Sequence, residues 1–324
     1  MATRRDVAER AGVSVATVSY VLNRTKNVTP EVRKRVLTAA RELDYQPNLL
    51  ARSLSTKRTR HVAMLIDNLH NPHYCEILEG AQQLASEKGY IVSVIAVDQS
   101  NPRDILELTG RGVDGVILSL PGERPEVRSL LGDRLPVVMA GESVRIDYLP
   151  AMEEMLAHLT ALGHRRIAFL SGLPLDTPEH GRYLAWQTAM GRQGLAVDPA
   201  LVVDGLSGAA TDEAEGVRAM GELLRRGVEF TAVYAVNDLM ALGAMSALIH
   251  AGRSVPGRVS VVGCDQLRVL YALTPSLASM DVRPMEIGRH LMRHLIDEIG
   301  RRPRRPTEIV ARYVPGESVA RAAI

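Results

Sequence analysis

Between Thr3 and Leu43 the apolar positions fall into three short clusters at helical spacing. Val7, Ala8 and Ala11 form the first stripe, Val18, Val21 and Leu22 the second, and Val32, Val36, Leu37, Ala40 and Leu43 the third. Each cluster has a start signal. Thr3-Arg4-Arg5-Asp6 has the form of a capping box, and Ser14 is placed to cap a helix from Val15 to Leu22. Thr29 precedes a proline at the first helical position, with Glu31 favouring the positive helix end. Gly12 ends the first helix after about two turns. Two short helices split by a tight glycine turn, backed by a third, predict a helix-turn-helix head whose second helix is free to enter a groove.

The next stretch, PNLLARSL at 47–54, reads as a short helix from Asn48 to about Ser55 with Pro47 before it. Isolated helices under roughly 12–15 residues are marginal in water, and Leu49, Leu50 and Leu54 have no core beside them. The segment is therefore expected to order only against a partner. From His61 the period changes. Apolar runs end in polar residues: VAMLI before Asp67-Asn68, IVSVIAV before Asp98-Gln99, VDGVILSL before Pro121, PVVMA before Gly141-Glu142. A second set follows: RIAFL before Ser171-Gly172, TAVYAV before Asn237-Asp238, VSVVG before Cys264-Asp265. Helical stretches lie between, so the pattern predicts parallel sheets flanked by helices, with ligands bound beyond the carboxyl ends of the strands. Asp, Asn and Gly also follow strands simply as turn and cap residues, so each position alone has that plainer reading.

Composition sharpens this outline. The 324 residues are 46% hydrophobic and 23% charged, with one Trp and two Phe, which suits two or three domains with aliphatic cores. No run of ~18 apolar residues and no signal-peptide pattern is evident, so a cytoplasmic location is expected. Cys75 and Cys264, far apart, read as two reduced thiols rather than a disulfide or metal framework. The net charge of +2 hides an asymmetry: residues 1–60 balance to +8 and the remainder to −6. A basic head on a mildly acidic body is the electrostatic pattern of a nucleic-acid-binding module joined to something else. There is no GxSxG, HExxH, P-loop or strand-linked GxGxxG, so no catalytic residues, metal ligands or cofactor are expected.

DVAERAGVSVATVSYVLN at 6–23 and YQPNLLARSL at 45–54 resemble the N-terminal signature and hinge segment of the lactose/galactose repressor (LacI/GalR) family. GVDGVIL (112–118), LGHRRIAFLSG (162–172), TAVYAVNDLMALGAMSAL (231–248), VPGRVSVVGCDQ (255–266) and TPSLASMDV (274–282) extend the resemblance along the body. It implies a small all-α helix-turn-helix head at 1–45, a hinge helix and linker at 46–60, and an α/β effector-binding and dimerisation body at 61–324. The body would have two periplasmic-binding-protein-like lobes, an N-lobe at about 61–147 and 283–307 and a C-lobe at about 150–279 with the C-terminal segment. Implied crossings lie near 147–150, 279–283 and 306–312.

The same resemblance implies the site residues. DNA would be met by Val15, Ala16, Thr17, Ser19, Tyr20 and Asn23, and in the hinge by Asn48, Ala51, Arg52 and Leu54, with Leu54 as a wedge between base steps. Val15 and Ala16 offer only apolar contact, for instance with a thymine methyl; the plain alternative is helix filler. The cleft set would be Asp67, His73, Tyr74, Asp147, Arg182, Trp186, Tyr234, Asn237 and Asp265, a mixture suited to a polyhydroxylated ligand. For Trp186, core packing is the competing reading. The implied function is a repressor that binds a palindromic operator as a homodimer under control of a small polar metabolite, a sugar or nucleoside-like effector. The alternative is a non-exported small-molecule-binding protein without operator function. The 99–112 and 141–146 regions are shorter than usual in the family, and no leucine-heptad tail follows, so a dimer rather than a tetramer is expected.

Overall fold

The computed structural model describes residues 2–23, 26–46, 58–66, 68–97, 112–120, 131, 135–175, 181–205 and 211–323. Its contacts separate the chain into two compact units, Met1–Thr59 and Arg60–Ile324. The first contains helices α1 (Arg4–Ala11), α2 (Val15–Asn23) and α3 (Pro30–Glu42). Local chemistry sets their ends. Thr3 and Asp6 form a reciprocal capping box, and Gly12 closes α1 at φ 62°, a left-handed conformation that a Cβ would strain. Ser14 Oγ accepts from the Thr17 N–H at 3.1 Å, and Pro30 opens α3 behind Thr29. The inner stripes close on one another: Val7, Ala8, Ala11, Val18, Val21, Val36, Ala39 and Ala40 form one small core. One expected member is missing. Leu37 is 46% exposed, because the α3 stripe runs Val32, Val36, Ala39, Ala40, Leu43 and position 37 falls beside it.

The second unit carries two four-stranded parallel sheets. In the first, β1 (His61–Ile66), β2 (Ile91–Ala96), β3 (Gly115–Ser119) and β4 (Val137–Met139) stand in the order β2-β1-β3-β4. In the second, β6 (Ile167–Leu170), β7 (Val202–Val203), β8 (Ala232–Ala235) and β9 (Ser260–Val262) stand in the order β7-β6-β8-β9. Val62 to Ile66 are all buried, as are Ile167 to Leu170, which explains why these strands read as unbroken apolar runs: their residues are covered on both faces. Two narrow ribbons join the lobes. β5 (Val144–Asp147) pairs in parallel with β11 (Thr307–Val310), and β10 (Ser279–Asp281) pairs antiparallel with β12 (Arg312–Val314). The short segments 147–149, 281–284 and 310–312 therefore carry the chain between them.

Helices α4 (Pro72–Lys88) and α9 (Pro284–Ile299) lie together on the first sheet. Their approach demands glycine. A Cβ on Gly288 would stand 1.8 Å from the Ile77 carbonyl oxygen, and one on Gly80 would stand 1.9 Å from that of Met285. The second sheet carries α5 (Leu149–Ala161), α6 (Gly181–Arg192), α7 (Glu213–Arg225) and α8 (Asp238–His250). Their first turns gather where strands end, so β8 delivers Asn237 and Asp238, and β9 delivers Cys264 and Asp265, to one edge of the lobe.

Candidate functional site

The head presents its second helix outward. Val15 is 44% exposed and Ala16 is exposed, while Val18 and Val21, on the opposite side, are buried. Thr17 and Ser19 are half-buried, and Thr17 Oγ1 lies 2.9 Å from Ser14 Oγ. Tyr20 is half-buried with the Lys26 ammonium 4.7 Å over its ring, which holds a positive charge beside the exposed face. Arg35 donates to the Gly12 carbonyl at 3.2 Å and ties α3 to the turn. Asn23 is the last residue of α2. The Asn23 side chain, and Asn48, Ala51, Arg52 and Leu54, lie outside the described residues.

In the body, Asp265 is the centre of a buried cluster. Its Oδ1 stands 3.4 Å from Arg182 Nη2, within the C-lobe, and 3.6 Å from His73 Nδ1 on α4 of the other lobe. The Asp265 side chain is only 3% exposed. Its backbone sits at φ 114°, which an L-residue adopts only under compulsion from its surroundings; its N–H donates to the Met280 carbonyl on β10 at 2.9 Å. Arg182 lies 5.1 Å over the Tyr148 ring, and its Nε is buried without a hydrogen-bond partner. Burial works against the guanidinium's charge, yet the surrounding Tyr148, Cys264 and Asp265 outweigh it and hold the Arg182 pKa well above the ordinary arginine value. Burial pushes the Tyr148 hydroxyl and the Cys264 thiol each up to about 12.

Beside this cluster lie the aromatic residues. Phe169 is within 5.1–5.5 Å, ring to ring, of Tyr183, Trp186 and Tyr234. Trp186 and Tyr234 are both fully buried in the core. Yet the Trp186 Nε1 and the Tyr234 hydroxyl are buried without a hydrogen-bond partner, and such groups are rare unless water or a ligand completes them. Asn237 is committed to the helix: its Oδ1 accepts from the Met240 N–H at 2.9 Å and its Nδ2 donates to the Thr211 carbonyl at 2.8 Å. Asp147 likewise accepts from the Leu149 N–H at 3.0 Å, at the start of α5. Tyr74 packs edge-on to His73, with ring centres 5.6 Å apart. Asp67 lies outside the described residues. Of the expected cleft set, His73, Arg182 and Asp265 meet directly.

The cleft set expected from the resemblance left out Tyr148 and Asp238, although Asp238 stood among the strand-end positions. Asp238 is 1% exposed, accepts from the Leu267 N–H at 2.8 Å, and faces Ser279 Oγ on the crossover strand β10 at 2.5 Å. Burial, then the nearby Asp265 carboxylate, push its pKa up to about 8, with the Ser279 and Leu267 hydrogen bonds pulling the other way. Asp238 was visible as the residue after Asn237 at a strand end. Its pairing with Ser279, 41 positions away, was not. Among the described residues no group of His, Cys, Asp or Glu could hold a metal ion, and no helix is long and apolar enough to cross a membrane.

Residues 3–48 match the model of the bacterial regulatory proteins of the lacI family, and residues 156–319 match that of a periplasmic binding protein-like domain. The catabolite control protein A of Priestia megaterium is 33% identical over 304 residues, covering 90% of each chain. The HTH-type transcriptional repressor PurR of Haemophilus influenzae is 30% identical over 311 residues, covering 92% of this chain and 91% of its own. Among solved structures, a transcriptional regulator CelR–cellobiose complex is 30% identical with a TM-score of 0.71, covering 98% of this chain and all of its own. The lac repressor dimer bound to operator and the anti-inducer ONPF is 25% identical with a TM-score of 0.79, covering 98% of this chain and 99% of its own.

Proposed function

We propose, from the premise that this chain belongs to the lacI family of bacterial regulatory proteins, how its two units serve one task. The protein is a ligand-responsive transcriptional repressor. As a homodimer it binds a palindromic operator, because a two-fold protein matches a two-fold site. A small polar metabolite, sugar or nucleoside-like, occupies the cleft between the lobes and changes operator affinity; the operator must change effector affinity by the same factor. The observation that carries this reading is the union of two features in one chain. One is a capped second helix with Val15 and Ala16 turned outward. The other is a buried Arg182–Asp265 pair flanked by polar groups left unsatisfied.

In this reading Val15, Ala16, Thr17, Ser19, Tyr20 and Asn23 meet the major groove. The 46–60 segment is the hinge, ordering in the minor groove with Asn48, Ala51 and Arg52 against groove or backbone and Leu54 as the wedge. His73, Arg182 and Asp265 grip the effector, Trp186 and Tyr234 offer it one hydrogen bond each, and Tyr74, Asp147 and Asp67 line the rim. Asn237 supports the site by holding α8. The protein catalyses no reaction, works in the cytoplasm, and joins the nucleoid when bound to DNA.

Melting temperature measured against a panel of sugars and nucleosides tests the cleft. A ligand at ~100 times its dissociation constant adds about 2.7 kcal/mol of stability. Duplex binding measured with that ligand, at rising salt, tests the coupling. Binding that falls with salt and shifts with ligand supports the reading; binding indifferent to removal of residues 1–60 sinks it.

A further inference from the structure

The end of the C-lobe opposite Asp265 carries a second concavity, where β6 and β8 begin rather than end. It is an open hollow of about 510 Å³ between the 162–166 loop, the 229–231 loop and the 321–323 segment. Small-molecule sites commonly span roughly 300–1,000 Å³, so the space is of ligand size. Its walls are pinned to one another. His164, 1% exposed, donates from Nε2 to the Ala320 carbonyl at 2.9 Å and accepts at Nδ1 from the Thr231 hydroxyl at 2.9 Å; the Ala322 N–H donates to the Leu162 carbonyl at 3.0 Å. The cavity is thus preformed.

Its lining divides by chemistry. Leu162, Phe230 and Ala322 give an apolar floor, and Arg165, Arg166 and Arg321 a basic rim, with Glu229 the one acidic lining residue. Arg166 is spent on the Glu229 carbonyl at 2.6 Å and on Asp198 at 3.1 Å. Arg165 is held by the Thr160 and His164 carbonyls at 2.8 and 2.9 Å. Among the described residues it has no carboxylate partner, and Arg321 has no hydrogen bond or ion pair. A further guanidinium, Arg253, sits 5.4 Å over the Phe230 ring. The His164 pKa is lowered chiefly by burial, against the hydrogen bond to Ala320, with His158 and then Arg165 adding to the fall.

We infer that this cavity is a second ligand site, selective for a small organic acid. Its carboxylate is held by Arg165 and Arg321, and its apolar body lies against Leu162 and Phe230. Guanidinium groups suit this task because their planar donors match a carboxylate, and charge-assisted hydrogen bonds are roughly twice as strong as neutral ones. The site is independent of the effector cleft.

The test is a titration of the full chain with benzoate, and with benzamide as the uncharged counterpart, read by calorimetry and ligand-observed NMR. Benzoate is expected to bind about tenfold tighter than benzamide. Arg321→Ala should remove that preference while leaving melting temperature unchanged, because the side chain is exposed. Arg182→Ala should leave benzoate binding as it was. Equal binding of both compounds would overturn the acid selectivity. Benzoate binding lost with Arg182→Ala but kept with Arg321→Ala would place the acid in the lobe cleft and overturn the site, as would no saturable binding.

Discussion

In the head, Val15 and Ala16 face outward from a helix whose other side is packed shut. In the cleft, Arg182 and Asp265 are 23% and 3% exposed and hold one another inside the protein. Exposed apolar side chains such as these leave no polar group unsatisfied, so in the proposed reading the head keeps its recognition surface ready at little cost. A buried ion pair is different: each charge depends on its partner, and removing one strands the other. Recognition and stability are therefore separable in the head and entangled in the cleft.

The largest expected effect tests that entanglement. Among the described residues Arg182→Ala leaves Asp265 with His73 as its remaining ion-pair partner, and breaking a buried pair typically costs about 3–5 kcal/mol. The expected outcome is a lower melting temperature for the 60–324 unit, no melting shift with the effector, and unchanged low-salt duplex binding. Retained stability with retained effector response would break the contrast. Next in size is its counterpart. Replacing Val15 and Ala16 with Gln and Arg should alter the preferred half-site by about 1–3 kcal/mol per affected base pair, read by binding to an operator library. Melting temperature should hold, since exposed substitutions stay within roughly 0.5 kcal/mol.

A pH-dependent effect comes from Asp238. Its pKa is raised from 3.8 to about 8, so over that range the folded form holds a proton that the unfolded chain has released. Folded-state stability therefore falls as pH rises through this window and levels off above it. Asp238→Asn keeps an acceptor for the Leu267 N–H and offers Ser279 a donor, yet removes the titration. The variant's melting temperature should gain on the parent's from pH 4 to 8, then run parallel. A constant gap across that range would remove the buried carboxyl from the account.

The two regions also differed in how much their sequence revealed. The head's caps, turn and stripes are local, so Thr3 with Asp6, Gly12 and Ser14 declared the helices at spacings of a few residues. Leu37 misled because one position beside a helical stripe looks much like one within it. The strands of the body were legible as buried apolar runs, but β5, β10, β11 and β12 were not. Each has three or four residues whose order comes from a partner far along the chain, as with Ile309 against Ile146. The cleft followed the same division. Asp265 and Arg182 were proposed by resemblance, whereas Tyr148 beneath the guanidinium and Ser279 against Asp238 became visible only when the topology joined them. Trp186 keeps both of its readings: its ring packs in the core, and its buried Nε1 is left without a hydrogen-bond partner.

The smallest expected effect compares like with like. Arg10 and Glu42 form an ion pair at 2.7 Å, shorter than the 3.4 Å of Arg182 and Asp265. Distance alone would rank the head's pair as the stronger. Its side chains, however, are 61% and 47% exposed, so water and salt screen the attraction, and holding two long side chains in register costs entropy. Arg10→Ala should therefore change the stability of the head by no more than about 1 kcal/mol. The loss should shrink further near 1 M salt, where screening acts within about 3 Å. Arg182→Ala should keep most of its effect at the same salt, because its pair is largely buried and is screened much less. Equal salt sensitivity in the two variants' melting curves would mean that burial does not set the worth of these pairs.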